Sequence, residues 1–517
     1  LGWTTLVYTD SGDNNRLKAV RIQPNGKYGT PVLVGGTGAN DNGFYPAVSV
    51  DNSGKGIIAF AGQAGGEFHI RVRRFSGLTT KFKLAAAMTT PAPGSGTNPN
   101  DSLNQSPSVA LASDGTATLA WQTGVIPKVA AVRLAADNSI LRDLGTTLCK
   151  ANSAACGVPH VFTAATGVST VVWTETLFGA VDSTYRVNQI NAFNELAAAD
   201  SQTIADASRR NEGLDVAQSS NGSLIAAWIT STDGVGPYKV SAKRISSAGV
   251  PGTRQDLEAG SGSVVETPSH PSVAINASGA SIVTWIRSFG TVNPGPVVVF
   301  KRLGTNGTKA AGDPVSVGPG VSIDRVAISL ASSGAATLFV GKAKTEVALV
   351  SITPKNGSGG TVTLVPPSTG KPPVQGNFFD NNAQPDQPLV SRGSDGTTAF
   401  TWLFVAYGGD RQWVSQINSE TPSLARLKFP SKFKHGQRSG QVTVNSSKYG
   451  TAVVTIAPAS KKLRFRPRVT RVSVPAGATT VKFNTSGLLR GKYTVTVQLV
   501  DLAGLKATKS ATLLVTS

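Results

Sequence analysis

The chain has 517 residues, of which only 15% are charged, and its 49 Lys and Arg against 29 Asp and Glu leave a formal charge of +20. That length exceeds what one hydrophobic core supports, so at least two domains are expected. No run approaches the roughly 18 apolar residues of a membrane-crossing helix, and abundant Gly, Pro, Val, Thr and Ser with only two cysteines exclude a helical bundle and a disulfide scaffold.

The first predicted strand, LGWTTLVYTD, carries a glycine, Gly2, and an aromatic residue six positions on, Tyr8. The pair recurs as Gly54 with Phe60, Gly115 with Trp121, Gly167 with Trp173, Gly222 with Trp228 and Gly279 with Trp285. Looser copies are Gly334 with Val340 and Gly396 with Trp402. Each full copy opens on a Pro-x-Val-Ala-like run, as in PSVALASDGTATLAW and HPSVAINASGASIVTW. A third alternating run follows, often closing on an arginine and an aliphatic residue (Arg21-Ile22, Arg133-Leu134, Arg244-Ile245, Arg302-Leu303), and then a weaker fourth. Four short antiparallel strands per unit, repeated at this spacing, predict an all-β fold with a seven- or eight-bladed β-propeller over residues 1–423. The Pro-x-Val-Ala strand is expected innermost, and the anchors are expected between neighbouring blades.

The first unit begins at its second strand. Trp3, Leu6 and Tyr8 therefore lie on an open-blade strand whose inner partner must come from elsewhere, because an unpaired inner edge exposes backbone donors and acceptors. One candidate is QVTVNSSKYGTAVVTI, where Gly450 and Ile456 repeat the spacing; the other is a strand donated by a second molecule. The chain starts at Leu1 and its one methionine is Met88, which predicts a removed secretory leader. Cys149 and Cys156, in CKANSAAC, are predicted to pair as a disulfide in an oxidising compartment.

From residue 424 the composition shifts to 17 Lys and Arg against one acid, Asp501. In KKLRFRPRVTR the cations Lys461, Lys462, Arg464, Arg466, Arg468 and Arg471 alternate with other residues, which predicts a partner-binding strand with a positive row on one face. The ending GKYTVTVQLVDLAGLKATKSATLLV resembles the G-x-Y-x-V-x-V…D-x-x-G pattern of bacterial immunoglobulin-like domains, which implies a basic β-sandwich over 424–517. The whole is similar to secreted propeller-plus-immunoglobulin-like proteins of Gram-positive, especially actinobacterial, lineages. That resemblance implies an extracellular, cell-surface location.

Signs of chemistry are sparse. His69, His160, His270 and His435 fall in different units without metal-ligand spacing. Ser113-Asp114-Gly115 resembles the sialidase Asp box, but its aromatic follows the glycine by six residues rather than four. The inner strands carry almost no acids, Asp215 being the exception. The expectation is a non-enzyme without cofactor, with calcium a further candidate at Asp10–Asn15 and Asp380–Asp386. The expected function is an extracellular structural subunit that self-associates head to tail through strand complementation of the first blade. Two alternatives stand beside it: a monomeric adhesin or glycan-binding propeller anchored by its basic domain, and a glycan-active hydrolase or lyase with carboxylates converging at the axis. The expected partners are a second copy or an acidic wall polymer or glycan. Nucleic acid is disfavoured for want of an aromatic stacking platform.

Overall fold

The computed structural model describes residues 3–516 outside a set of internal segments, the longest being 90–104, 260–266, 289–295, 353–361, 366–373 and 376–388. The described residues form strands joined by turns and loops, with no helix among them. Eight small antiparallel sheets follow one another along the chain. The first has three strands, Thr4–Asp10, Arg16–Ile22 and Val32–Gly35. The third is typical of the rest, ordered Gln105–Leu111, Ala117–Thr123, Lys128–Leu134 and Ile140–Gly145 from one edge to the other. In the fourth, His160–Thr163 and Ser153–Cys156 both pair with Ser169–Leu177. In the eighth, the outer strand Val374–Gln375 comes from upstream in the chain.

Local chemistry explains the repeat. The turn glycines Gly54, Gly115, Gly167, Gly222, Gly279 and Gly334 sit at φ between 81° and 88°, where a Cβ is penalised. Around Gly115 the hairpin closes by Gly115 N to Ala112 O at 3.0 Å and Ala112 N to Thr116 O at 2.8 Å. The six-residue step then carries the anchor to a fixed register on the second strand. Five anchors turn toward the preceding sheet: Phe60 packs with Leu17 and Ala19, Trp121 with Ile57 and Val72, Trp173 with Ala120 and Ala131, Trp228 with Tyr185 and Val187, and Trp285 with Ile225 and Val240. A fully buried tryptophan removes about 200 Å² from water, worth up to about 5 kcal/mol at 25 cal/mol per Å².

An arginine of the third strand ties five of the sheets to the next. Arg21 donates to Gly54 O at 2.6 Å, Arg74 to Gly115 O at 2.9 Å and Arg133 to Gly167 O at 2.7 Å. Arg244 reaches Gly279 O at 2.6 Å and Arg302 reaches Gly334 O at 2.8 Å. Burial lowers the pKa of all five guanidiniums. A ring of such sheets, each docked on its neighbour, is a β-propeller.

The three-stranded first sheet leaves a mark on the second. The residue six before the turn glycine is buried in the later sheets, with Val109 at 7%, Val161 at 7%, Val216 at 9%, Val273 at 5% and Ile328 at 1% exposure. Its counterpart Val48 is 36% exposed, and Val50 is 41% exposed. No described strand pairs with the inner edge of Thr4–Asp10. QVTVNSSKYGTAVVTI does not fill that edge, contrary to one expectation. Its first part belongs to Ser439–Ser446, paired with Gly477–Asn484, and its second to Gly450–Pro458, paired with Arg468–Val474 and Gly491–Asp501. Alternate apolar residues of both strands, among them Val442, Val444, Val454 and Ile456, enter one core with Leu424, Tyr493 and Leu513. That shared core outcompetes a spacing resemblance.

The remaining chain thus forms a two-stranded sheet and a five-stranded sheet ordered Lys432–Lys434, Lys506–Thr516, Gly491–Asp501, Gly450–Pro458 and Arg468–Val474. Cys149 and Cys156 are bonded to one another, with Cα atoms 6.6 Å apart. Their loop is held to the fourth sheet by Glu175, fully buried, which accepts from Ser153 Oγ at 2.6 Å and Lys150 N at 3.1 Å and pairs with Arg186 at 2.7 Å. Burial opposes that charge, and the hydrogen bonds with Arg186 overcome it, so the carboxyl is held below its usual range.

Candidate active site on the inner strands

Seven residues before each turn glycine, the inner strands present one side chain per sheet at a common level: Ala47, Ser108, His160, Asp215, Ser272 and Ala327. The level is common because each pairs with the residue just before its own anchor, as Ser108 does with Ala120, His160 with Val172, Asp215 with Ala227 and Ser272 with Thr284. Four consecutive sheets therefore carry a polar arc of Ser108, His160, Asp215 and Ser272. Two of these side chains reach toward the following sheet: Ser108 Oγ accepts from Val161 N at 2.9 Å, and Asp215 Oδ2 accepts from Val273 N at 2.8 Å.

Asp215 is the chemically distinctive member. Its Oδ1 accepts from Val216 N at 2.9 Å, and Ser272 hydrogen-bonds to it. Burial raises its pKa from 3.8 to about 6, against the opposing pull of the Val273, Ser272 and Val216 hydrogen bonds. A carboxyl so placed is shared between acid and carboxylate near neutral pH, which suits a proton donor. Burial also lowers the His160 pKa, which favours the neutral imidazole. Nearby in the same strand, Glu212 adds to the burial that raises the Tyr185 pKa. Between Glu212 and Asp215 the register slips at a bulge, where Gly213 has φ +65° and a Cβ would meet Pro271 Cδ at 2.9 Å. The equivalent positions hold Tyr45 at φ 51° and Ser106 at φ 52°, so the bulge recurs.

A cavity of about 420 Å³ opens between the second and third sheets, lined by Asp51, Lys55, Arg74, Phe75 and Asp114 among others. Three of its charged side chains are already engaged. Asp51 accepts from Ser53 and Lys55 N, Asp114 from Thr116, and Arg74 donates to Asn138, Gly115 O and Ala135 O. The inner strands are the better candidate.

Other predicted residues fare differently. Leu6 and Tyr8 are buried and Trp3 is half-buried at the first sheet. Lys461, Lys462 and Arg464 lie outside the described residues, as do Gly396, residues 11–15 and the loop 380–386. Arg466 precedes the strand that begins at Arg468, and the guanidinium of Arg468 covers the Phe465 ring at 5.2 Å while Arg471 stands exposed. With a side-chain period of two, Arg468 and Arg471 point to opposite faces, so the predicted single-faced basic row does not form there. Among the described residues no three His, Cys, Asp or Glu side chains gather as a metal site.

No family model matches the chain, and no curated protein does. Among solved structures it is similar to the polysaccharide lyase Uly1, with a TM-score of 0.46 and 11% identity over 72% of this chain and 90% of that one. It is also similar to an α-L-arabinanase of Penicillium chrysogenum complexed with arabinobiose (TM-score 0.38, 9% identity, 73% of this chain and 93% of that one). A third is the GH93 α-L-arabinofuranosidase of Fusarium graminearum with arabinobiose (TM-score 0.36, 9% identity, 74% and 95%). These neighbours are enzymes named for action on polysaccharide or arabinan, and two expectations are corrected on that finding: the self-associating filament subunit, and the chain without catalysis.

Proposed function

We propose that this protein is a glycan-active enzyme that cleaves a glycosidic bond by hydrolysis or elimination, with Asp215 passing the proton at the propeller's inner strands. The observation that carries this reading is the Asp215 carboxyl, held at a pKa of about 6 on an inner strand and hydrogen-bonded by Ser272 from the same level of the next sheet. Both reactions need a proton delivered to the departing glycosidic oxygen. In hydrolysis a base activates water at the anomeric carbon; in elimination it removes the proton next to a uronic carboxylate. Neutral His160 is the group we assign to that second task. We read the eight sheets as eight blades, residues 424–517 as an immunoglobulin-like sandwich on the strength of its two sheets and the G-x-Y-x-V-x-V ending, and the location as extracellular.

The test is turnover on a panel of neutral and uronate-containing polysaccharides, following reducing ends and the ultraviolet absorbance of unsaturated products in parallel. Asp215→Asn is expected to lower turnover by about 10²-fold or more, and His160→Ala by a similar factor. An amide keeps an oxygen to accept from Val273 N, so the variant stays folded while losing the proton. Cleavage unchanged in Asp215→Asn, or no cleavage by the native chain across the panel, refutes the reading.

A further inference from the structure

The outer face of the five-stranded sheet carries lysines and hydroxyl side chains. Cross-strand partners point to one side, so register sets what the face displays. Lys432 and Lys492 both partner Leu514, and Lys434 partners Thr516. Phe433, Tyr493, Leu513 and Val515, next to them in sequence, are buried in the core, which puts the three lysines outside at one end. Further along, Thr494 partners Thr512, Thr496 partners Ser510, and Thr455 partners Thr496 from the other side. At the far end Lys506 partners Val500, and Arg471 partners Val453. All five cations are exposed. The two ends are eight residues apart on the central strand, about 27 Å at 3.4 Å per residue, and the five strands span about 19 Å.

Within residues 424–517, 17 Lys and Arg stand against one acid, Asp501. Thr496 Oγ1 and Ser510 Oγ lie 2.9 Å apart in a field of hydroxyls between the two cationic ends.

We infer that this face binds a polyanionic glycan, a polysaccharide bearing carboxylate or sulfate groups, and thereby names the substrate class of the enzyme proposed above, on whose glycan reading it rests. Cations at both ends meet the anionic groups, and hydroxyls between them offer the mixed donors and acceptors that sugar hydroxyls require. No aromatic side chain stands on the described face to stack a nucleobase. Threonine and serine hydroxyls stand among its apolar residues, Val453, Val469 and Leu514, where a lipid surface would need apolar side chains throughout.

The experiment uses the full chain carrying Asp215→Asn, so that binding is measured without turnover. The probes are polygalacturonate and heparin, with neutral arabinan as control, each at low salt and at about 0.5 M salt. Lys432→Ser, Lys434→Ser and Lys492→Ser together are expected to weaken polyanion binding about tenfold. Lys506→Ser with Arg471→Ser is expected to weaken it several-fold, while Lys428→Ser with Lys482→Ser, exposed on the other sheet, leaves it unchanged. High salt removes the binding and arabinan shows none. Equal loss in the Lys428 and Lys482 variant reduces the effect to net charge and overturns the inference. So does tighter binding to single-stranded RNA or to phosphatidylserine vesicles, or no polyanion binding at all. A native chain that binds polyanions but cleaves none fails the enzymatic reading alone; one that cleaves a neutral glycan and binds no polyanion fails this one alone.

Discussion

Replacing Asp215 by asparagine should make the protein more stable at neutral pH relative to acid pH. The carboxyl's pKa is 3.8 in an ordinary setting and about 6 in the folded chain. At about 1.4 kcal/mol per tenfold, that gap corresponds to roughly 3 kcal/mol. A raised folded value means the native state holds the proton more tightly than the unfolded chain does. The native protein is therefore favoured below about pH 4, loses that advantage as pH climbs from about 4 to about 6, and carries the full cost above. Asparagine cannot ionise, so the variant escapes this loss. It also gives up one acceptor, to Val216 N or Val273 N, at a cost that does not depend on pH. The measurable quantity is thus a difference of differences: variant minus native stability should rise by about 2.5 kcal/mol between about pH 4 and about pH 7.5. Denaturant midpoints at the two pH values, with unchanged slope, report it. Native and variant curves that run parallel across pH would show that Asp215 titrates as an ordinary carboxyl, and the argument for a poised acid would collapse. A stability gain at neutral pH accompanied by lost turnover is the pattern of a group kept in an unfavourable setting for its chemistry.

Other substitutions probe how the sheets are joined. Arg133→Met should cost about 2–3 kcal/mol by stripping the charge-assisted donor from Gly167 O, whereas the same change at exposed Arg142 should register almost nothing in denaturant unfolding. Trp173 Nε1 has no acceptor while Trp285 Nε1 donates to Glu258, so Trp285→Phe should cost about 1–2 kcal/mol more than Trp173→Phe, read as shifts in thermal midpoint. Breaking the Cys149–Cys156 bond, by reductant or by serine at both positions, should lower stability by about 2.5 kcal/mol for so short a loop. No effect of reductant on unfolding would contradict that last expectation.

The chain alone displayed the propeller unit because its signals are local. A glycine that must adopt positive φ and an anchor six residues later are separated by one hairpin, so a single window of sequence contains both. The arginine before an aliphatic residue was visible as a pattern, but its role was not, since its partner carbonyl lies in the next unit, 33 residues on from Arg21 and 34 from Arg133. Asp215 was noticed only as an exception among inner strands. Its chemistry depends on Val273, 58 residues away, and on burial by a neighbouring sheet.

The C-terminal part shows the same division. Alternation told which residues of Gly491–Asp501 face inward, and composition told that cations lack acids. Which cations share a surface was decided by strand order, which sets Lys432 and Lys492 on either side of Leu514 although 60 residues separate them in the chain. The run KKLRFRPRVTR looked like the basic surface because it is dense in sequence, yet Arg468 and Arg471 turn to opposite faces once a strand begins. Period, turn chemistry and net charge are properties of neighbouring residues, and the sequence by itself determined them. Proton affinity at Asp215 and the grouping of lysines on one face are properties of atoms brought together from distant strands, and only the tertiary structure decided those.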